Sequence, residues 1–192
     1  MARVALGILG SGKGSNCRAI LEQIRDGKLC AEARVVISDV ADAGILDIAR
    51  EFGVPAIHLP PGSFRTKLAP DAELQLVEIL RGAGVNLVVL AGFMRLLKQP
   101  TLDAFLRRIV NIHPSLLPKF PGLAAWEQAL TAGEKITGCT VHYVDSGIDS
   151  GQIIAQREVP ILPTDTPQTL HMRIQVAERE LYPAALSRFC DE

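Results

Sequence analysis

The chain has 192 residues, 48% of them apolar and 21% charged, which is enough apolar side chain to bury a substantial core and a length that fits one domain. A formal net charge of -1 and an isoelectric point near 6.4 leave no electrostatic drive toward DNA or an anionic membrane. Mean hydropathy is +0.22, yet the longest apolar candidate, residues 85–94, is strand-length and short of the roughly 18 to 20 residues that span a bilayer.

Arg3 to Leu9 already reads as a strand and lacks the basic, apolar and small-residue order of a cleavable signal, so a cytoplasmic protein is expected. Further strands are predicted near 32–38, 55–59, 86–91 and 108–112. Between them Asn16 to Arg25, Ala41 to Phe52, Pro70 to Gly82 and Gln99 to Leu106 carry apolar residues at spacings of three and four, as covering helices do. After Gly133 the pattern changes: Gly138 to Val144 alternates, a Gly/Ser/Asp turn follows, and Gln152 to Val159 is extended again, which predicts strands running in another direction. Thr164, Asp165 and Pro167 open a last helix with Leu170, Ile174, Ala177 and Leu181 on one face. The expected fold class is α/β, an open and mostly parallel sheet with helices on both faces and antiparallel additions in the C-terminal third. We expect residues 1–192 to form one unit, with about 1–110 holding a ligand phosphate and about 111–192 completing a cleft.

The first strand runs into Gly10-Ser-Gly-Lys-Gly-Ser-Asn16 and then a helix, so backbone N–H groups converge where an anion can approach. Two familiar phosphate motifs fail here. The nucleoside-triphosphatase loop needs a Ser or Thr where Gly14 stands, and Ser15 arrives one place late; the dinucleotide fingerprint needs a glycine where Ser15 stands. A general phosphate cradle at Gly14, Ser15 and Asn16 survives. A magnesium-dependent nucleotide switch is disfavoured by the same displaced hydroxyl.

Asn111 and His113 lie two residues apart at the carboxyl end of a strand, so both side chains point the same way. An imidazole beside an amide donor combines proton transfer with oxyanion stabilisation. The later turn Val144-Asp-Ser-Gly-Ile-Asp-Ser-Gly151 offers Asp145 and Asp149, either of which would orient a nearby histidine and raise its pKa. Spacing does not choose between them, and Asp145 also fits an Asx-turn. His142 reads as a structural hydrogen-bonding partner. His58 and His171 have no carboxylate or second histidine at ligand spacing, so no metal site is expected. Cys17, Cys30, Cys139 and Cys190 show no C-x-x-C pair and are expected as reduced thiols, with Cys139 buried rather than nucleophilic.

Over essentially its whole length the chain resembles the phosphoribosylglycinamide formyltransferases, a branch of the folate-dependent formyltransferases. The resemblance is carried by Gly12-Lys-Gly-Ser-Asn16, Leu90-Ala-Gly-Phe-Met-Arg95, Asn111-Ile-His-Pro-Ser-Leu-Leu-Pro-Lys-Phe-Pro-Gly122 and residues 138–151. It implies transfer of the formyl group of 10-formyltetrahydrofolate, a co-substrate, to the amine of glycinamide ribonucleotide in purine synthesis, without a metal. It implies Asn111, His113 and Asp149 as catalytic residues, with Asp149 rather than Asp145 as the catalytic aspartate. Gly14, Ser15, Asn16, Gln175 and Glu178 would hold the ribonucleotide, with Glu178 at the ribose hydroxyls. Lys67, Met94, Arg95, Leu96, Leu97, Asn111, Val144, Asp145 and Asp149 would line the folate site. The partners implied are these small molecules only, with no nucleic acid or membrane, in a monomer or homodimer.

The chain departs from the pattern in places. Lys67 stands where a basic residue, often arginine, is usual, and a lysine loses the bidentate fork. Ala124-Ala-Trp126 replaces the one or two histidines common in relatives, Trp126 being expected either to wall the folate pocket or to pack, and Lys13 is unusual in the phosphate loop. Methionyl-tRNA formyltransferases and formyltetrahydrofolate hydrolases share the Asn-x-His core. Their extra domains exceed this length, and the net charge offers tRNA no platform.

Overall fold

A computed structural model of the chain describes residues 3–190, so the outermost two residues at each end of the expected 1–192 unit lie outside the described residues. Seven strands form one sheet in the order β3-β2-β1-β4-β5-β6-β7. They are β1 (Val4–Leu9), β2 (Ala31–Ser38), β3 (Ala56–His58), β4 (Leu87–Leu90), β5 (Ile109–His113), β6 (Ile136–Tyr143) and β7 (Ile153–Pro160). The pairs from β3 to β5 are parallel, while β5–β6 and β6–β7 are antiparallel. The expected mixed α/β architecture is therefore present, with the change of direction where the sequence pattern changes. β1 and β4 are buried along their whole length, which is why they read as continuous apolar runs rather than alternating ones.

The helices are α1 (Ser15–Arg25), α2 (Gly44–Glu51), α3 (Pro70–Gly82), α4 (Gln99–Ala104), α5 (Ala125–Thr131) and α6 (Pro167–Leu186), followed by a 3-10 turn at Ser187–Cys190. Two apolar clusters divide them between the sheet's faces. Ile8, Val89, Val110 and Val141 pack with residues of α1, α2 and α6, whereas Val35, Val88 and Ile109 pack with residues of α3 and α4. The third helix begins at Pro70 as expected, but the second starts at Gly44 rather than Ala41, and the fourth ends at Ala104 rather than Leu106. Helix α5 is an addition to the sequence-based reading. On α6, Leu170, Ile174 and Ala177 are buried as expected, while Leu181 is only half-buried against the same cluster.

Three local devices fix the parts that matter for the site. Helix α6 starts on a reciprocal Thr166–Thr169 capping box with Pro167 in its first turn. Asp165 accepts both guanidinium nitrogens of Arg173 at 2.7 Å, and that hydrogen bonding holds its carboxyl well below the usual range. Further along, Tyr182 is fully buried and donates its hydroxyl toward the carbonyls of Leu90 and Val110, at 2.9 and 3.1 Å, pinning α6 beneath the junction of β4 and β5. Among the described residues no helix is long and apolar enough to cross a membrane. All four cysteines are free thiols; burial pushes both Cys17 and Cys139 up to about 12, so neither is a ready nucleophile.

Candidate active site

The end of β1 turns into α1 through Gly10 to Gly14. Gly14 is the residue before the helix and has φ +78, and a Cβ there would stand 2.8 Å from the Ile45 Cα, so both the backbone conformation and the space demand glycine. No side chain caps the helix, which leaves its first N–H groups free to meet an anion. Lys13 is exposed beside them. Asn16, in the first turn, is buried and donates Nδ2–H to Glu178 Oε2 of α6 at 2.9 Å, while its Oδ1 is buried without a partner among the described residues. Burial raises the Glu178 carboxyl to about 7, against a smaller lowering by Asn16. One turn before Glu178, Gln175 donates its amide to His171 Nε2 at 3.3 Å.

A strut joins this loop to the next. Ser11 donates its hydroxyl to Asp39 Oδ1 at 2.5 Å and accepts the Met94 N–H at 2.9 Å. Arg95 then reaches Asp39 Oδ2 at 2.7 Å and donates to the carbonyls of Phe64 and Arg65. Its guanidinium is therefore committed to holding loops together. In the same segment Met94 is 60% exposed and Leu96 is 37% exposed, but Leu97 is buried in the α3–α4 cluster, so only its backbone is available to a ligand. Lys67 bridges to Leu96 through the backbone and lays its ammonium 4.4 Å from the centre of the Phe64 ring.

The polar cluster lies over β5 and β6 on the same face as Ile109, the face α3 and α4 cover further along the sheet. Pairing sets Asn111 opposite His142 and His113 opposite Thr140, and alternation turns all four toward that face. No helix covers them there. The segments 114–124 and 144–151 do so instead. Asn111 Nδ2 donates to His142 Nε2 at 3.2 Å, consistent with the His142 Nδ1–H donating to the Tyr143 carbonyl at 2.8 Å. His113 is buried, with Nε2 2.8 Å from the Phe120 carbonyl and Nδ1 3.2 Å from Asp149 Oδ2.

Asp149 sits at φ +50 in the β6–β7 connection, which folds back over the sheet. Its Oδ2 also accepts the Gly122 N–H at 2.8 Å, and its Oδ1 lies 3.6 Å from His142 Nε2. Asp145 is used differently: its Oδ1 accepts the Gly147 N–H and the Ser150 hydroxyl, closing the turn. The choice that spacing leaves open is thus resolved as far as contact goes, with Asp149 on His113 and Asp145 in the turn.

Burial lowers the pKa of His113, and the Phe120 carbonyl and Asp149 raise it by less, so the net direction is down rather than the rise expected from a neighbouring carboxylate. The hydrogen-bond geometry pulls the other way, because an acceptor at each ring nitrogen suits the doubly protonated imidazolium. For Asp149, burial raises the pKa, but the His142 contact, the Gly122 N–H and the charge of His113 together carry it below the ordinary value, so it is a carboxylate at neutral pH.

Four predicted residues thus meet as two pairs, His113 with Asp149 and Asn16 with Glu178. His142, read from sequence as structural, joins Asn111 and Asp149 in one cluster. His171 is not the isolated helix residue expected: its ring stacks on Trp126 of α5, with centroids 3.7 Å apart and planes at 4°. Two open surface depressions flank this region, one among Leu21, Ile24, Phe52 and Val54 and one beside α5 that reaches Phe120. Neither contains the His113–Asp149 pair, and the site is defined by its chemistry instead.

A loop that offers N–H groups to an anion, set beside a buried carboxylate–imidazole pair and an amide donor, defines a group-transfer enzyme of the formyl transferase kind. The family model described as formyl transferase matches residues 3–186, and the chain belongs to that family. Among individual proteins it is similar to the phosphoribosylglycinamide formyltransferase of Bacillus subtilis, 40% identical over 181 residues that cover 94% of this chain and 92% of the relative. It is also 45% identical over 187 residues to the trifunctional purine biosynthetic protein adenosine-3 of Drosophila pseudoobscura pseudoobscura, covering 96% of this chain and only 14% of that protein's length. The crystal structure of glycinamide ribonucleotide transformylase 1 from Symbiobacterium toebii superposes with a TM-score of 0.94 at 48% identity, over 98% of this chain and 88% of that one.

Proposed function

We propose that this chain transfers the formyl group of 10-formyltetrahydrofolate to the amine of glycinamide ribonucleotide, giving formylglycinamide ribonucleotide and tetrahydrofolate in purine synthesis. The observation that carries the proposal is the 3.2 Å contact of His113 with Asp149, with Asn111 two residues back on the same strand face. Family membership and the relatives' names support the same reading.

In this reading Gly14, Ser15 and Asn16 hold the phosphate and Gln175 assists from α6. The buried, unpartnered Asn16 Oδ1 and the Glu178 carboxyl suit ribose hydroxyls, which both donate and accept. The folate fits along Met94 and Leu96, whose apolar side chains are exposed, and along the backbone of residues 144–149, including Val144 and Asp145. Arg95, Leu97 and Lys67 shape this wall through their loops rather than through free side chains. The group brings an activated formyl carbon.

The chain's own residues do the rest. Asn111 keeps one amide N–H beyond the one given to His142 and directs it at the formyl oxygen as negative charge develops there. His113 exchanges its Phe120 contact for the same oxygen, and its imidazolium form is stabilised against burial by Asp149. Asp149 holds the ring's Nδ1–H and passes the proton lost by the attacking amine, through water, toward the departing folate nitrogen.

The catalytic unit spans residues 1–192 in this reading, its first half serving the nucleotide and its second half completing the folate cleft. Its partners are these small molecules, and it works in the cytoplasm as a monomer or homodimer, without nucleic acid, membrane or metal. Purified protein supplied with glycinamide ribonucleotide and 10-formyltetrahydrofolate is expected to release tetrahydrofolate only when both are present. Folate release that does not need the ribonucleotide would instead establish a hydrolase.

A further inference from the structure

On α6, His171, Gln175, Glu178 and Tyr182 follow one another at spacings of four, three and four, so they form a single stripe along the helix. Tyr182 and Glu178 are buried, while Gln175 and His171 are half-buried, so the stripe climbs from the core past the start of α1 toward solvent. Seven residues of helix set His171 about 10 Å beyond Glu178 along the axis. Here it meets Trp126, which packs partly against the α1–α6 cluster. Trp126 begins four residues after Gly122, the residue whose N–H holds Asp149.

The stack fixes the plane of the imidazole and covers one of its faces. Gln175 occupies Nε2, so the neutral ring carries its proton on Nδ1, which has no acceptor among the described residues. The Trp126 indole N–H has none either, and Gln175 keeps a second amide hydrogen. Three donors therefore lie on or against α6 one to two turns before Glu178, which itself meets Asn16 of the phosphate loop, with no carboxylate hydrogen-bonded to any of them. Two flat rings stacked 3.7 Å apart, both half-buried and each with an N–H that no described residue takes up, form a wall suited to a phosphate ester.

We infer that His171, held in plane by Trp126, is a ligand for the phosphate ester of the substrate and sets specificity for the phosphorylated amine. The inference rests on the proposed reading of the site as a ribonucleotide site. His171 receives the ester oxygens from the side opposite the α1 N-terminus, and Gln175 bridges the two.

The test compares wild type, His171→Phe and His171→Arg in steady-state kinetics with glycinamide ribonucleotide and with its phosphate-free riboside. The phenylalanine still stacks on Trp126 but donates nothing. It is expected to raise KM for the ribonucleotide about tenfold, the scale of a hydrogen bond to a charged group, with kcat, KM for the folate and affinity for the riboside unchanged. Arginine, which both stacks and donates, is expected to restore the ribonucleotide KM. An equal loss for ribonucleotide and riboside, an unchanged KM in His171→Phe, or a failure of arginine to restore it would overturn the inference. If the wild-type protein transfers no formyl group, the reading of the site falls. The ligand claim is then decided by titration calorimetry of the ribonucleotide, where undiminished binding to His171→Phe overturns it.

Discussion

Glu178→Gln separates the electrostatics of the buried Asn16–Glu178 pair from its packing. The wild-type carboxyl is buried and carried from an ordinary 4.5 to about 7, chiefly by desolvation. A carboxyl whose folded-state pKa is raised stabilises the fold fully only below its unfolded value, and that stability is lost as pH rises through the folded value. The loss therefore accumulates between pH 4.5 and about 7, and a shift of this size corresponds to roughly 3 kcal/mol. Glutamine keeps an oxygen for the Asn16 N–H and adds an N–H for the unpartnered Asn16 Oδ1, with nothing to ionise. Thermal unfolding followed at pH 4.5 and pH 8 should show the two proteins alike in acid. At pH 8 the variant should melt roughly 6 to 12 °C higher, the change in Tm such an energy gives at this chain length. The same variant should bind the ribonucleotide more weakly, because a neutral amide accepts ribose hydroxyls less strongly than a carboxylate. A constant difference in melting temperature across this pH range would refute the reasoning.

Other perturbations test other parts. His113→Ala and Asp149→Asn should each lower turnover at least about a hundredfold while the protein stays folded, the scale of one proton-transfer or oxyanion contribution; near-normal kcat in either removes the role assigned to it. Gly14→Ala forces a side chain into the left-handed region and against Ile45, so it should cost more than about 1 kcal/mol in denaturant unfolding and raise KM for the ribonucleotide, whereas an unchanged midpoint would show that the loop relaxes freely. Tyr182→Phe removes the hydroxyl from the Leu90 and Val110 carbonyls and should lower stability by about 1 to 3 kcal/mol in urea titrations; a neutral result would mean that α6 is held by packing alone.

The central strands were legible because they are buried on both faces and spelled as apolar runs, as in Val4–Leu9 and Leu87–Leu90. Helix α5 was not. It is seven residues long, and Ala124 before it takes φ +53 without any capping side chain, so none of the usual start signals is present. Missing α5 hid His171 as well, because its partner Trp126 lies on that helix. The Asn111–His113 pair followed from period-two geometry alone. The place of His142 beside it depends on the β5–β6 register, which no local pattern specifies. Asp145 and Asp149 were indistinguishable by spacing, since what separates them is a backbone reversal at Asp149, set by tertiary contacts with Gly122 and His113.

The two apolar clusters also have a geometric consequence. Helices α1 and α6, which carry Asn16 and Glu178, lie under one face of the sheet, while Asn111 and His113 look out from the other. A molecule that engages both must straddle the sheet's rim, with its anionic end and its reacting end separated by something on the order of 10 Å, the depth of one packed layer. In the proposed reading the sheet's rim thus gauges the separation between the substrate's phosphate and its amine.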